Sequence, residues 1–297
     1  MAIDDYGELK TAVERWLGRD ELTNRIPEWI AMGEDRIAQD LRVQAMETHQ
    51  VIKWSDVVDA GTATGTANAI TLTPSPAATA YALSNTYEFD AASTNTSTVT
   101  VNVSSLGAKD VKRRHGGVKE GLSSGDIVIG ATYRIYYDGT DFIIAPQGGA
   151  LLPSNFLQLR RSYLDVSSGK RIDYFDPNTF WTRNFADDSG QMAAFTIEGD
   201  FLVAAPVPDG TAYAKMLYYR RLTALSSDSD TNWVLSNARG LYLYSALIEA
   251  YTFLEDDAGQ LKYAAMYEDW LDRAHKADRK NRFPMGALPM RSQVAVV

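Results

Sequence analysis

Apolar residues recur at helical spacing in four stretches of the chain. Tyr6, Leu9, Val13, Trp16 and Leu17 share one face of residues 4–17, and Gly18 ends the pattern. Trp29, Ile30, Gly33, Ile37 and Leu41 form the stripe of a second helix, opened by Pro27, whose missing N–H would be unpaired in a first turn anyway. Glu28, Glu34, Asp35, Arg36, Asp40 and Arg42 take its solvated side. The strongest pattern spans residues 230–282. There Ser236 or Asn237 can cap a helix with Leu241, Tyr244, Ile248, Tyr251 and Leu254 on one face. Leu243, Ala246, Leu247, Ala250 and Phe253 fill most of the rest, so this helix must be covered on nearly every side. Either it is the centre of a bundle, or Leu243, Leu247, Ala250 and Phe253 press on a neighbouring subunit. Asp256, Asp257 and Gly259 join it to an amphipathic helix over about 260–280, which carries Leu261, Ala264, Ala265, Tyr267, Trp270, Leu271 and Ala274 inward.

Between 57 and 148 the period changes to two. Thr, Ala, Ser, Asn, Gly and Val dominate, with alternation in Ala69–Thr73 and Ser97–Val103. Tyr133 to Ala145 reads as a hairpin about Asp138-Gly139. Residues 57–148 are thus expected to form an inserted all-β module. After it, strands are expected at 156–166 and 170–175 around Ser167-Ser168-Gly169, then a helical turn from Asp176-Pro177. A hairpin follows at Gly199-Asp200, with 213–220 returning to complete one compact sheet. The expected fold class is α+β. A helical-bundle core with a small antiparallel sheet (1–56 and 149–280) would carry the inserted module, and 281–297 would form an extended tail.

Composition narrows the function. At 297 residues and 45% hydrophobic the chain can bury two cores, and a net charge of -9 opposes a protein built to grip nucleic-acid phosphates. Without cysteine, thiolate chemistry and Cys-bound zinc are excluded. No run approaches the ~20 apolar residues of a membrane span, nor does Met1–Asp5 begin a leader. A soluble protein is expected.

Candidate chemistry is sparse. His49, His115 and His275 sit in no recognisable motif, and Gly61–Gly65 lacks the Lys-Ser or Lys-Thr of a phosphate loop. Asp228, Asp230 and Asn232 have calcium-loop spacing, but Trp233 occupies the position needing Gly, and a capping cluster accounts for them more simply. Asp187 and Asp188 read as solvated turn residues. Lys112-Arg113-Arg114-His115 reads as a solvated cluster with room for an acidic or phosphate contact. No enzyme, cofactor or metal site is expected. The tail joins Arg279, Lys280, Arg282 and Arg291 to the anchors Phe283, Met285, Leu288 and Met290. It is either a frayed end or a peptide that docks on an acidic grooved partner.

In order along the chain, Trp16-Leu17 before Asp20-Glu21-Leu22, Asp40-Leu41-Arg42-Val43, Phe195-Thr196-Ile197-Glu198-Gly199 and Ala205-Pro206 resemble the head-to-tail adaptor (connector) proteins of tailed bacteriophages. Tyr218-Tyr219-Arg220, Thr231-Asn232-Trp233-Val234-Leu235 and Leu241-Tyr242-Leu243-Tyr244 continue the resemblance. It covers 3–50 and about 152–280, and the 57–148 module, similar in texture to small tail-fibre β domains, departs from the family pattern. The resemblance implies a virion-neck protein made in the host cytoplasm. It also implies a ring of roughly a dozen copies beneath the portal protein and above a tail or nozzle protein, its lumen passing DNA. The tail residues named above would dock on the portal, and 57–148 would meet a fibre, spike or capsid component. An alternative from the residues alone is a glycan-binding or adhesion protein that sets exposed Tyr81, Tyr133 or Tyr137 against sugar rings.

Overall fold

The computed structural model describes residues 3–54, 56–164, 172–183, 190–208 and 210–282. The first elements are α1 (Tyr6–Leu17), α2 (Ile26–Asp40), β1 (Glu47–Trp54), β2 (Val57–Thr62), β3 (Thr64–Thr66), β4 (Ala69–Leu72), β5 (Thr86–Asp90) and β6 (Val99–Val103). Then come β7 (Lys109–His115), β8 (Val118–Gly121), β9 (Thr132–Tyr137), β10 (Phe142–Ala145), β11 (Gly149–Leu151), β12 (Phe156–Leu164) and β13 (Asp173–Tyr174). The chain continues through α3 (Pro177–Thr182), β14 (Ala194–Glu198), β15 (Phe201–Ala205), β16 (Ala212–Arg220), α4 (Trp233–Asn237), α5 (Arg239–Phe253) and α6 (Asp257–Arg282). Two compact units result: residues 1–47 with 219–297, and residues 48–218.

The expected helical-bundle core is overturned. Strand takes about 32% of the residues and helix 34%, and the largest assembly is a nine-stranded, nearly closed barrel-like sheet. The physical reason lies in how short strands add up. No single strand here has a strong pattern, but alternate positions of many strands converge on one core that includes Leu72, Phe89, Val101, Val103, Ile135 and Phe142.

In the helical unit, Asp5 caps α1 by accepting from the Glu8 N–H at 2.8 Å, and Gly18 ends it in the left-handed conformation (φ 66°). Helix α5 lies between α2 and α6, with α1 also against it. The packing is close enough to need glycine. A Cβ on Gly240 would fall 2.5 Å from the Trp270 ring, and one on Gly33 2.4 Å from Ser245 Oγ. Ser236 and Asn237 do not cap α5; both lie within α4, which Asn232 caps by accepting from the Leu235 N–H. Helix α5 instead starts directly after Ala238, with no side-chain cap.

In the second unit the large sheet runs β2-β5-β9-β10-β7-β6-β4-β3, with β8 paired to β7. The predicted hairpin forms, with Tyr137 opposite Phe142 and Arg134 opposite Ala145, and Asp138 Oδ1 accepts from the Thr140 and Asp141 N–H groups in the turn. The hairpin at Gly199-Asp200 also forms, joining β14 to β15 with Glu198 opposite Phe201. The single compact sheet expected after 151 does not. Strand β12 belongs to a three-stranded sheet β1-β16-β12, while β13 joins the four-stranded sheet β11-β15-β14-β13. Residues 167–169, where a turn was expected, lie outside the described residues. Strand β16 likewise leaves the β14-β15 hairpin for the other sheet. Ile143 and Ala145 of β10 pack into one cluster with Phe180, Ala194, Phe201, Val203 and Ala205, so the large and four-stranded sheets share apolar packing.

Candidate functional site

The two sets of residues singled out for contact have different environments. On α5, Leu247 and Ala250 are fully buried and Leu243 is 5% exposed, all inside the subunit; Phe253 is 51% exposed. The apolar girth of this helix is therefore satisfied by α1, α2, α4 and α6 of the same chain. Phe253 stays at the surface, its ring against Trp29 and under the Arg25 guanidinium at 5.2 Å. Among the described residues of this unit, Trp16 (46%), Met32 (50%) and Leu261 (70%) are also exposed. Trp16 stands edge-on to Tyr244 and Tyr263.

At the end of α6, Arg279 and Lys280 are exposed. Arg282 is not. Its guanidinium pairs with Glu47 at 2.5 Å and with Asp278, in a clasp whose side chains are 16% (Arg282) and 12% (each acid) exposed. Asp278 also accepts from the Gln44 N–H at 2.6 Å, and His275 Nε2 accepts from the Arg42 N–H. Arg282 and His275 thus fasten α6 to residues 42–47. Phe283, Met285, Leu288, Met290 and Arg291 lie outside the described residues.

The basic run of the β-sheet unit is neutralised internally. Arg113 pairs with Asp126 at 2.7 Å, Arg114 with Asp200 at 3.4 Å, Lys112 with Asp141 at 3.1 Å and Lys119 with Asp138 at 2.6 Å. The tyrosines considered for sugar stacking are also engaged. Tyr137 is buried, donating to the Gly139 carbonyl, and Tyr81 donates to the Gly107 carbonyl while packing on Tyr137 and Phe142. Tyr133 accepts from the Val128 N–H. Tyr133 and Tyr137 lie on the side of β9 that carries Ile135 into the core of the large sheet, and Tyr81 packs against the same core, so the three rings are not the exposed platform expected.

Asp230 accepts from the backbone N–H groups of Ser226 and Ser227, which holds its carboxyl below the usual range, and with the Asn232 cap this makes the 228–232 cluster a turn-and-cap structure. Asp187 and Asp188 lie outside the described residues.

One polar site was not among the candidates, although several of its residues lie in segments that carry the family resemblance. Glu34 on α2 accepts from the Leu225 N–H at 2.9 Å and the Tyr242 hydroxyl at 3.1 Å, beside a cavity of about 160 Å³. Asn232 Nδ2 donates to the same hydroxyl at 2.7 Å. Only the fold brings α2, α5 and the 223–232 segment together, which is why spacing could not reveal it. Burial raises the Glu34 pKa, and its hydrogen bonds oppose this only in part. A raised carboxyl pKa means the folded state holds the proton more tightly than the unfolded one. The resulting stability is complete below the ordinary value of about 4.5 and is lost as pH rises through the raised value. Melting curves of the native chain and Glu34→Gln from acid to neutral pH should show the variant gaining relative stability from about pH 4.5 upward and levelling off once pH has passed the raised value. A gap constant with pH would remove Glu34 as its source.

These placements leave contact surfaces and packing devices, and comparison with known families then decides the class. A model of the SU10 adaptor protein family matches residues 4–147 and 140–292. The chain belongs to the SU10 adaptor protein family. No curated protein matches it. The adaptor is a structural protein of a bacteriophage, and membership implies a place in the virion neck in contact with portal and tail proteins. Among the described residues of the adaptor, no helix is long and apolar enough to cross a membrane.

Proposed function

We propose that the adaptor assembles head to tail into a ring of roughly a dozen copies between portal and tail, with DNA passing through the lumen. The observation that carries this reading is the apolar surface left on the helical unit. Trp16, Met32, Phe253 and Leu261 remain exposed although most of α5 is buried within the subunit, and aromatic residues beside arginine, as at Phe253 and Arg25, suit a protein interface. A net charge of -9 supports a conduit that does not hold DNA. The role is structural and not enzymatic. Residues 57–148 serve as a tail-fibre-like module contacting a fibre, spike or capsid component, and the tail from Phe283 docks on the portal. Arg279 and Lys280, exposed at the end of α6, flank that docking segment.

A chain ending at Arg282 tests the docking role while keeping the clasp to Glu47 and Asp278. In a pull-down with the purified portal it should lose binding while its circular dichroism matches the full chain. Undiminished capture of the shortened chain would refute docking by the tail.

A further inference from the structure

Two exposed patches of this chain carry opposite charge and similar apolar content, one on each unit. The first is the open face of the three-stranded sheet. Ile52 and Trp54 of β1 and Ala214 and Met216 of β16 point into a core, so the alternate positions Val51, Lys53, Tyr213 and Lys215 line the other face. Val51 is 48% and Tyr213 39% exposed, and both lysines are exposed with no carboxylate paired to them among the described residues. The one acid in the three strands, Glu47, is already held by Arg282.

The second patch is the turn from α5 to α6. Glu255, Asp256 and Asp257 are exposed in succession, flanked by exposed Phe253 and Leu261. Among the described residues no cation pairs with these acids, and Lys262, the nearest in sequence, lies over the Tyr263 ring at 5.2 Å. We infer that the α5–α6 turn of one copy seats on the open β1-β16 face of the next copy. This rests on the head-to-tail ring proposed above and names the two surfaces that meet in it.

Complementarity identifies the occupant. A head-to-tail contact needs two different patches on every copy, where a two-fold contact needs one patch that fits itself. Neither patch here fits itself, because two sheet faces would bring lysines together and two turns would bring carboxylates together. Set against each other, they place the acids of the turn opposite Lys53 and Lys215. Phe253 and Leu261 then meet Val51 and Tyr213, giving an apolar centre with a charged rim.

The test is to weigh assemblies of the full chain on the purified portal by mass photometry. Lys53→Glu with Lys215→Glu should raise the adaptor concentration needed for half-complete assembly at least ~10-fold, and so should Glu255→Lys with Asp257→Lys. All four substitutions in one chain should restore assembly, because both surfaces are then reversed together; damage to folding would not be repaired in this way. Glu268→Lys, exposed on α6 beyond the turn, should assemble like the native chain. The inference is overturned if either reversed pair, with native circular dichroism, assembles normally, or if the fourfold variant stays as impaired as the pairs. In those cases the ring stands and its contact lies elsewhere. If the native chain itself never exceeds single subunits on the portal, ring and inference fall together.

Discussion

Leu247→Ala is expected to destabilise the isolated subunit by about 2–5 kcal/mol, read as a lower denaturant midpoint of the helical unit. Leu247 has no exposed surface, and the α2–α5–α6 packing around it is tight enough that Gly33 and Gly240 admit no side chain. Such a core cannot collapse freely onto a void, which places the cost toward the upper part of that range. Because the contacts are internal, the loss should not vary with protein concentration. If α5 were instead covered by a neighbouring subunit, the same substitution would lower oligomerisation and leave a dilute sample unchanged.

The second large effect is at the far end of α6. Arg282→Ala is expected to cost roughly 2–4 kcal/mol, since it removes the guanidinium that bridges Glu47 and Asp278 in a site where each is 12% exposed. The estimate sits below that for a wholly buried pair because water still reaches the clasp. Arg282→Lys should recover only part, because one ammonium cannot reproduce the fork that bridges two carboxylates. Ending the chain after Arg282 should change stability by no more than about 0.5 kcal/mol. Equilibrium unfolding of the three chains checks the ordering. Equal stability of Arg282→Ala and the native chain would mean that the clasp does not anchor the helix.

Helices were legible because each writes its own periodicity locally. The stripe from Tyr6 to Leu17, Pro27 at the second helix, and the paired α5 and α6 are all in the sequence, as are Asp138-Gly139 and Gly199-Asp200. Sheet membership was not, because it depends on partners far along the chain. Strands β12 and β13 read as one hairpin yet join different sheets, and β16 turns away from β15 to lie between β1 and β12. For the same reason the weight of β structure was underestimated. The surface was misread where charge runs looked free. Asp126, Asp138, Asp141 and Asp200, which neutralise the basic strand, come from distant turns, as Glu47 does for Arg282. The girth of α5 signalled burial correctly, but a single helix cannot say whether its own chain or another supplies the cover.

Electron microscopy of the purified adaptor mixed with its portal addresses the ring directly. Closed rings coaxial with the portal, with an open channel along the axis, are the predicted result. Single subunits scattered on the portal's outer wall, with no closed ring, would contradict it.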